Sequence, residues 1–470
     1  MRFKSFDEIN RKIRSGSAVV LTAREVTKLA RTKSASEIAK TVDVVTTATF
    51  SPMCSSGVFL NFGNCHPPIR MENVRLNNVS AYAGLAAVDA YIGATQLSEN
   101  KPDYGGAHVI EELIAGKDIL LEAESSGTDC YPRRKIKALI NKHSINEAIM
   151  FNPRNCYQNY PVAVNSSNQK KYTYMGILEP NLSNANYCTS GELSPLINDP
   201  YLQTIGIGTR IFLGGAQGFI SWNGTQFCSG HQRNKFGIPL MNAATLAVTA
   251  DLKNMSAEFI QAAYFKHYGV SLYVGLGIPI PILDEEIAAQ VIISNQQIPV
   301  PVVDFGQPDH PVIAYVSYKE LTAGTIKLNG INIPTSSISS SYIAGYIAGV
   351  LKHQILENKF TLSRPVQLLP PKESLNSLNP IVEMPEQIFE TEQEILLNEN
   401  LSFNFSKCIH CGLCINVCPS AVFQFNSEGI LSYDQTRCTC CFKCVEICPL
   451  KLFRSVKVNY EKFKTVPLSG

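Results

Sequence analysis

The stretch GGAHVIEELIAGKDILLEAESSGTDCYPRRK, Gly105 to Lys135, sets the reading of the chain. Its first part runs as a helix up to Gly116, a residue type that stops helices. Beyond it Ile119, Leu121 and Ala123 alternate with polar neighbours, the pattern of a half-buried strand. Helix followed by strand is α/β order. The strand enters a polar loop that holds Cys130 between Asp129 and the pair Arg133 and Arg134. Pro132 disfavours a helix at the thiol, so Cys130 is expected at a strand tip, where the arginines favour a thiolate and Asp129 opposes it. The loop alone leaves a reactive thiol and an inert one equally open.

The same grammar extends outward. SFDE at Ser5 and TARE at Thr22 fit capping boxes and predict two N-terminal helices. VDVVTTATF, Val42 to Phe50, is short and β-branched, a strand. MSAEFIQAAYFKHYGVSLYVGLGIPI reads as a second helix, Gly269, strand unit, and SYIAGYIAGVLKHQILENK as a buried helix. The glycine run GIGTRIFLGGAQGF, Gly206 to Phe219, matches neither phosphate-binding fingerprint; it reads as a turn permitting close backbone approach, a small ligand being one candidate. From about Pro365 the chain turns proline-rich and polar, a linker or a strap over the larger domain, with one short helical pattern through Ile388, Ile395 and Leu396. The expected organisation is a large mixed α/β domain over residues 1–365, a linker over 366–400 and a small α+β domain over 401–460.

Composition narrows the function. The chain has 470 residues, enough for two or three domains, and its formal net charge of +2 gives no footprint for nucleic acid or an anionic membrane. The charged N-terminus MRFKSFDEINRK lacks the apolar core of a secretory signal, so a cytoplasmic protein is expected. The apolar run VSLYVGLGIPIPIL is too short for a membrane span and contains two prolines; a buried strand and turn accounts for it. Fifteen cysteines in such a chain point to metal or redox chemistry rather than a disulfide scaffold.

Nine of the fifteen lie between Cys408 and Cys448, and eight of those form two copies of C-x2-C-x2-C-x3-C-P. Three cysteines at that pitch wrap three corners of a 4Fe–4S cube, and the fourth reaches the other cube. One cube is thus assigned to Cys408, Cys411, Cys414 and Cys448, the second to Cys438, Cys441, Cys444 and Cys418; Cys440 is left over. A zinc ribbon would need paired C-x2-C units and fits this spacing poorly. The pattern resembles the bacterial-type two-cluster ferredoxin, which implies a compact pseudo-twofold fold that moves single electrons.

Cys54, in SPMCSSGVFLNFGNCHPP, also follows a predicted strand. No charged residue lies between Asp43 and Arg70, so any stabilisation of its thiolate must come from backbone N–H groups or tertiary neighbours. Two thiols at two strand tips, fused to an electron carrier, suggest a redox pair. Cys65 and His66 offer weak grounds for a further metal site, and His108 and His231 are candidate general acids, each with a structural role as the competing reading.

The phrases SPMCSSGVFLNFG, GGAHVIEELIAGKDILLEAESSGTDCYPR and GIGTRIFLGGAQGFISWNGTQ resemble the homocysteine-biosynthesis family of anaerobes, the L-aspartate semialdehyde sulfurtransferases, across nearly all of residues 1–365. The resemblance implies sulfide incorporation into L-aspartate semialdehyde to give homocysteine, with two essential cysteines that match Cys54 and Cys130. Partners implied are the semialdehyde, a sulfide or persulfide donor and an external low-potential electron donor; a homo-oligomer is compatible with the sequence. Arg133 or Arg134 is a candidate fork for the substrate carboxylate. Two other classes stand beside this one: another ferredoxin-linked dithiol reductase of a carbonyl or sulfur compound, and a non-enzymatic electron-transfer or persulfide-carrier subunit.

Overall fold

A computed structural model describes residues 4–378, 395–398, 400–405, 408, 411–427, 430–450 and 452–455. The chain forms two compact units, Met1–Ser377 and Leu378–Gly470.

Both N-terminal helices start where the sequence places them. Phe6–Arg14 is capped by Ser5, whose Oγ accepts from the Glu8 N–H, and Ala23–Leu29 begins with a reciprocal Thr22–Glu25 capping box. Each cap satisfies backbone donors that the first helical turn leaves without partners. The strand expected from VDVVTTATF is Val44–Pro52, and the Gly105–Lys135 stretch folds as helix Gly106–Ile114, Gly116 at φ +76°, then strand Ile119–Glu124.

The first unit is built on a ten-stranded sheet. Its path runs Val20–Thr22, Val44–Pro52, Gly269–Pro281, Arg210–Leu213, Ala216–Asn223, Leu246–Asp251, Glu147–Asn155, Gly57–Asn61 and Asp89–Gly93. The pairing of Val20–Thr22 with Val44–Pro52 is parallel; the other pairings along that path are antiparallel. A six-stranded sheet contains Val162–Val164, Ala185–Tyr187 and Ile331–Ser337, and a four-stranded sheet contains Asn73–Leu76, Ile119–Glu124 and Lys135–Ile140. Helix Ser341–Leu356 packs on Val44–Pro52 and Gly269–Pro281 through Ala344, Ile347, Ala348 and Leu351, as its small-residue pattern leads one to expect.

Two local expectations differ from the structure, and a third, the glycine turn, is met. Ile260–Phe265 is a strand rather than a helix, because it zips antiparallel onto Gly269–Pro281 across the whole of its length. The run Gly206 to Phe219 turns at Gly214 and Gly215 between Arg210–Leu213 and Ala216–Asn223. Close approach there is to the protein's own core, where a Cβ at Gly214 would meet Ile260 and Met255 at 2.9 and 3.0 Å. Ile395–Asn398 is also a strand, paired with Leu401–Phe403, where the sequence suggests a helical turn; Ile388 lies outside the described residues.

Residues 366–373 lie along the rest of the first unit. Gln367–Leu368 pairs with Gly206–Ile207, and the Ser229 N–H donates to the Lys372 carbonyl at 2.7 Å. A side chain at Gly206 would meet the Gln367 carbonyl oxygen at 2.5 Å, so glycine is what lets this segment close on the sheet.

The second unit repeats one plan twice. Helix Leu413–Val417 follows Gly412 at φ +78°, and helix Lys443–Ile447 follows Phe442 at φ +57°. Strands Leu401–Phe403 and Phe453–Ser455 pair with one another, as do Phe423–Phe425 and Leu431–Tyr433, and Phe403 stacks on Phe453 in the core.

Candidate active site and thiol clusters

Strand Val44–Pro52 is buried along almost its whole length, yet it contains Thr46, Thr47, Thr49 and Ser51. A core strand this rich in hydroxyls must satisfy each of them or bear a cost of about 1–3 kcal/mol for each orphan. Thr46 Oγ1 donates to the Ala348 carbonyl and Thr47 Oγ1 to the Ile278 carbonyl. Thr49 Oγ1 has no hydrogen-bond partner. Instead, Thr49 lines a cavity of about 680 Å³, its open mouth included, at the seam between the ten-stranded and six-stranded sheets.

Cys54 stands on the rim of that cavity, exposed, two residues beyond the end of the strand. Its loop is fixed from behind by Asn152, fully buried on strand Glu147–Asn155. Asn152 Nδ2 donates to Ser56 Oγ at 2.9 Å, its Oδ1 accepts from Ser55 Oγ at 2.9 Å, and Ser56 Oγ donates to the Met53 carbonyl at 2.7 Å. The loss of hydration on its inner side pushes the Cys54 thiol above its ordinary range, against the pull of the Arg154 guanidinium and of the backbone N–H groups of Cys54 and Ser55. Arg154 is itself oriented by Nε donating to Thr225 Oγ1 at 2.8 Å. The tertiary neighbour that the uncharged Cys54 segment called for is therefore Arg154, which the sequence does not single out.

Two further thiols line the same cavity. Burial pushes Cys188 up to about 12, with Ser51 opposing and Cys54 adding to the rise, and burial pushes Cys156 higher still. Aromatic rings close the walls: Tyr157, Tyr160, Tyr174, Phe265 and Tyr268.

Cys130 is exposed at the tip expected for it, in the loop between Ile119–Glu124 and Lys135–Ile140. It is not among the residues that line the Cys54 cavity, and neither are Arg133 and Arg134. Arg133 Nε and Nη2 donate to the Pro67 and His66 carbonyls at 2.9 and 2.8 Å, tying the Cys130 loop to the segment that carries Cys65. The Cys65 thiol donates to the Pro67 carbonyl. His108 Nδ1 accepts from the Gly105 N–H, and its ring stacks on Tyr104, a helix-capping role. His231 does not line the cavity.

In the second unit the eight motif cysteines fall into two groups of four. Cys408, Cys411, Cys414 and Cys448 line one cavity; Cys418, Cys438, Cys441 and Cys444 line another. Each short helix ends at a thiol, Cys418 or Cys448, that lines the cavity of the other motif. Cys440, at φ +55°, lines neither. Burial and then the neighbouring thiols push Cys414 up to about 11 and Cys444 up to about 12. Four soft sulfur donors around one small apolar cavity are a donor set suited to a 4Fe–4S cube.

The family of homocysteine biosynthesis enzymes that carry out sulfur incorporation matches residues 18–362. The chain belongs to this family. A 4Fe–4S dicluster domain matches residues 400–449. L-aspartate semialdehyde sulfurtransferase of Methanosarcina acetivorans is 47% identical over 385 residues, covering 81% of this chain and 75% of the relative. The protein of that name from Methanocaldococcus jannaschii is 48% identical over 400 residues, covering 81% and 76%. No solved structure matches the chain significantly. As a sulfur-incorporation enzyme with an iron–sulfur domain, the chain is catalytic, and the reading as a non-enzymatic carrier falls away. Among the described residues no helix is long and apolar enough to cross a membrane.

Proposed function

We propose that this enzyme adds sulfur to L-aspartate semialdehyde and reduces the adduct to L-homocysteine, with Cys54 handling the substrate and Cys130 acting as its redox partner. The observation that supports this most is the position of Cys54: a solvent-reachable thiol on the rim of a cavity, set on a rigid buried network and facing a cation. The names of the two methanogen relatives supply the substrate.

The balance of atoms fixes what the chain must do. Aldehyde, hydrogen sulfide and two thiols give a primary thiol, water and one disulfide. Sulfide adds to the aldehyde and water leaves, giving a thioaldehyde; the Cys54 thiolate, stabilised by Arg154 and the Ser55 N–H, attacks its sulfur while the carbon takes up a proton, giving a mixed disulfide between Cys54 and the nascent homocysteine. Cys130 then resolves that bond, so that the two thiols release two electrons and become a disulfide. Two 4Fe–4S cubes, held by the two groups of four cysteines, supply single electrons from an external low-potential donor when bound.

The test is anaerobic mass spectrometry with labelled sulfide and the semialdehyde. Pre-reduced Cys411→Ser enzyme is expected to yield about one equivalent of homocysteine with a Cys54–Cys130 disulfide, and wild type with a low-potential donor to turn over repeatedly. Cys130→Ser should yield none. Undiminished product from Cys130→Ser, or a crosslinking result showing that the two Cα atoms never approach within about 7 Å, overturns the dithiol account. Wild type purified without air should hold about eight irons per chain.

A further inference from the structure

Thr49 is not alone. Thr189, Ser190 and Ser271 also line the Cys54 cavity, and their side-chain hydroxyls likewise lack a hydrogen-bond partner. The four residues are 6%, 9%, 4% and 2% exposed, so bulk water does not compensate them. They come from three separate places: strand Val44–Pro52, strand Gly269–Pro281 and the turn after Ala185–Tyr187. Elsewhere in the same strand the threonines at 46 and 47 find carbonyl partners, which makes the orphaning of Thr49 a property of the cavity rather than of the residue type.

The cavity lining contains no aspartate, glutamate, lysine or arginine. Away from Arg154, which acts at the Cys54 rim, the part of a ligand seated among these hydroxyls is favoured when its own charges cancel, since an ionised group taken out of water without a counter-charge is strongly disfavoured. Hydroxyls both donate and accept, so one set can serve a carboxylate and an ammonium at once. Tyr157, Tyr160 and Tyr174 line the same cavity, and an aromatic ring attracts an ammonium set over its face.

We propose that Thr49, Thr189, Ser190 and Ser271 form a charge-neutral subsite that takes the zwitterionic α-amino-acid head of the substrate and leaves its carbonyl end facing Cys54. This rests on the reading of Cys54 as the reacting thiol. It goes beyond that reading in naming the residues that distinguish an α-amino-acid aldehyde from an anionic or phosphorylated relative of similar length.

The experiment uses the full chain and compares L-aspartate semialdehyde with succinate semialdehyde, which lacks only the α-amino group. Wild type is expected to favour the first in kcat/KM. Thr49→Val, Ser190→Ala and Ser271→Ala should each lower kcat/KM for the amino-acid substrate about tenfold, chiefly through KM, and lower that for succinate semialdehyde, which keeps the carboxylate but not the ammonium, by less. Calorimetry with L-homoserine, which cannot react as an aldehyde, gives a second readout. It should bind Cys54→Ser as it binds wild type and bind the three hydroxyl variants about tenfold more weakly. Wild-type homoserine affinity in the three variants overturns the subsite, whose hydroxyls then bond only water, and leaves the reading of Cys54 intact. Full turnover by Cys54→Ser overturns that reading instead. Thr49→Val keeps the shape of the side chain, and its circular dichroism and melting curve establish that any loss is not one of folding.

Discussion

The loops carrying Cys54 and Cys130 both leave a strand and both present an exposed thiol, but they are held by different means. Behind Cys54 stands Asn152, buried and bonded to the hydroxyls of Ser55 and Ser56. The Cys130 loop is fastened at the surface. Glu72 accepts from the Ser126 N–H and hydroxyl at 2.8 and 2.7 Å, Thr128 and Tyr131 exchange backbone bonds, and Arg133 grips two carbonyls. A buried network with every partner present holds one geometry, because breaking any bond strands a polar group away from water. Surface bonds trade places with water at little cost, so the loop they hold is free to rearrange. One thiol is thus built for position and the other for access.

The contrast can be broken by experiment. Its largest expected effect is on chemistry: Cys54→Ser should lower product formation by more than about 10³-fold, as loss of a covalent nucleophile does. Next is stability. Asn152→Ala should cost about 1–3 kcal/mol in denaturant unfolding, since it orphans buried groups. Thr128→Ala, on the exposed Cys130 loop, should stay within about 0.5 kcal/mol of wild type. Equal costs at the two sites would erase the distinction.

A smaller effect concerns ionisation. The Cys54 thiol is raised above its ordinary range by burial, so its alkylation rate should keep climbing with pH through and beyond that range and fall as pH drops. Arg154 works against the rise. Removing it in Arg154→Gln should push the thiol further up, shift the profile to higher pH and slow alkylation at neutral pH about threefold to tenfold; Arg154→Lys should restore much of it. A profile unmoved by Arg154→Gln would show that the guanidinium serves the loop rather than the sulfur.

Much of this was legible in the residues. Ser5 and Thr22 announced their helices, Gly116 its stop, and the double C-x2-C-x2-C-x3-C-P run the grouping of eight thiols, because each signal is local and acts over a few residues. In Ile260–Phe265 an alanine-rich local propensity for helix loses to the thirteen-residue neighbouring strand Gly269–Pro281, which only the tertiary fold supplies. The cavity hydroxyls had no motif at all. Thr49, Thr189 and Ser271 meet from positions more than 80 residues apart, and their one trace in the sequence was a strand, TTATFS, too polar for the core it enters. Arg154 was invisible for the same reason: it approaches Cys54 from a strand a hundred residues on.

The crossing of Cys418 and Cys448 into opposite cavities has a mechanical meaning. Each half of the small unit closes on the other like the two hooks of a clasp, and neither can be opened while its mate stays shut. Taken apart from the other, each half would bring only three thiols to its own cavity. If each cavity holds a cube, chelation should therefore strip the unit in a single all-or-none step, not through a stable half-loaded form.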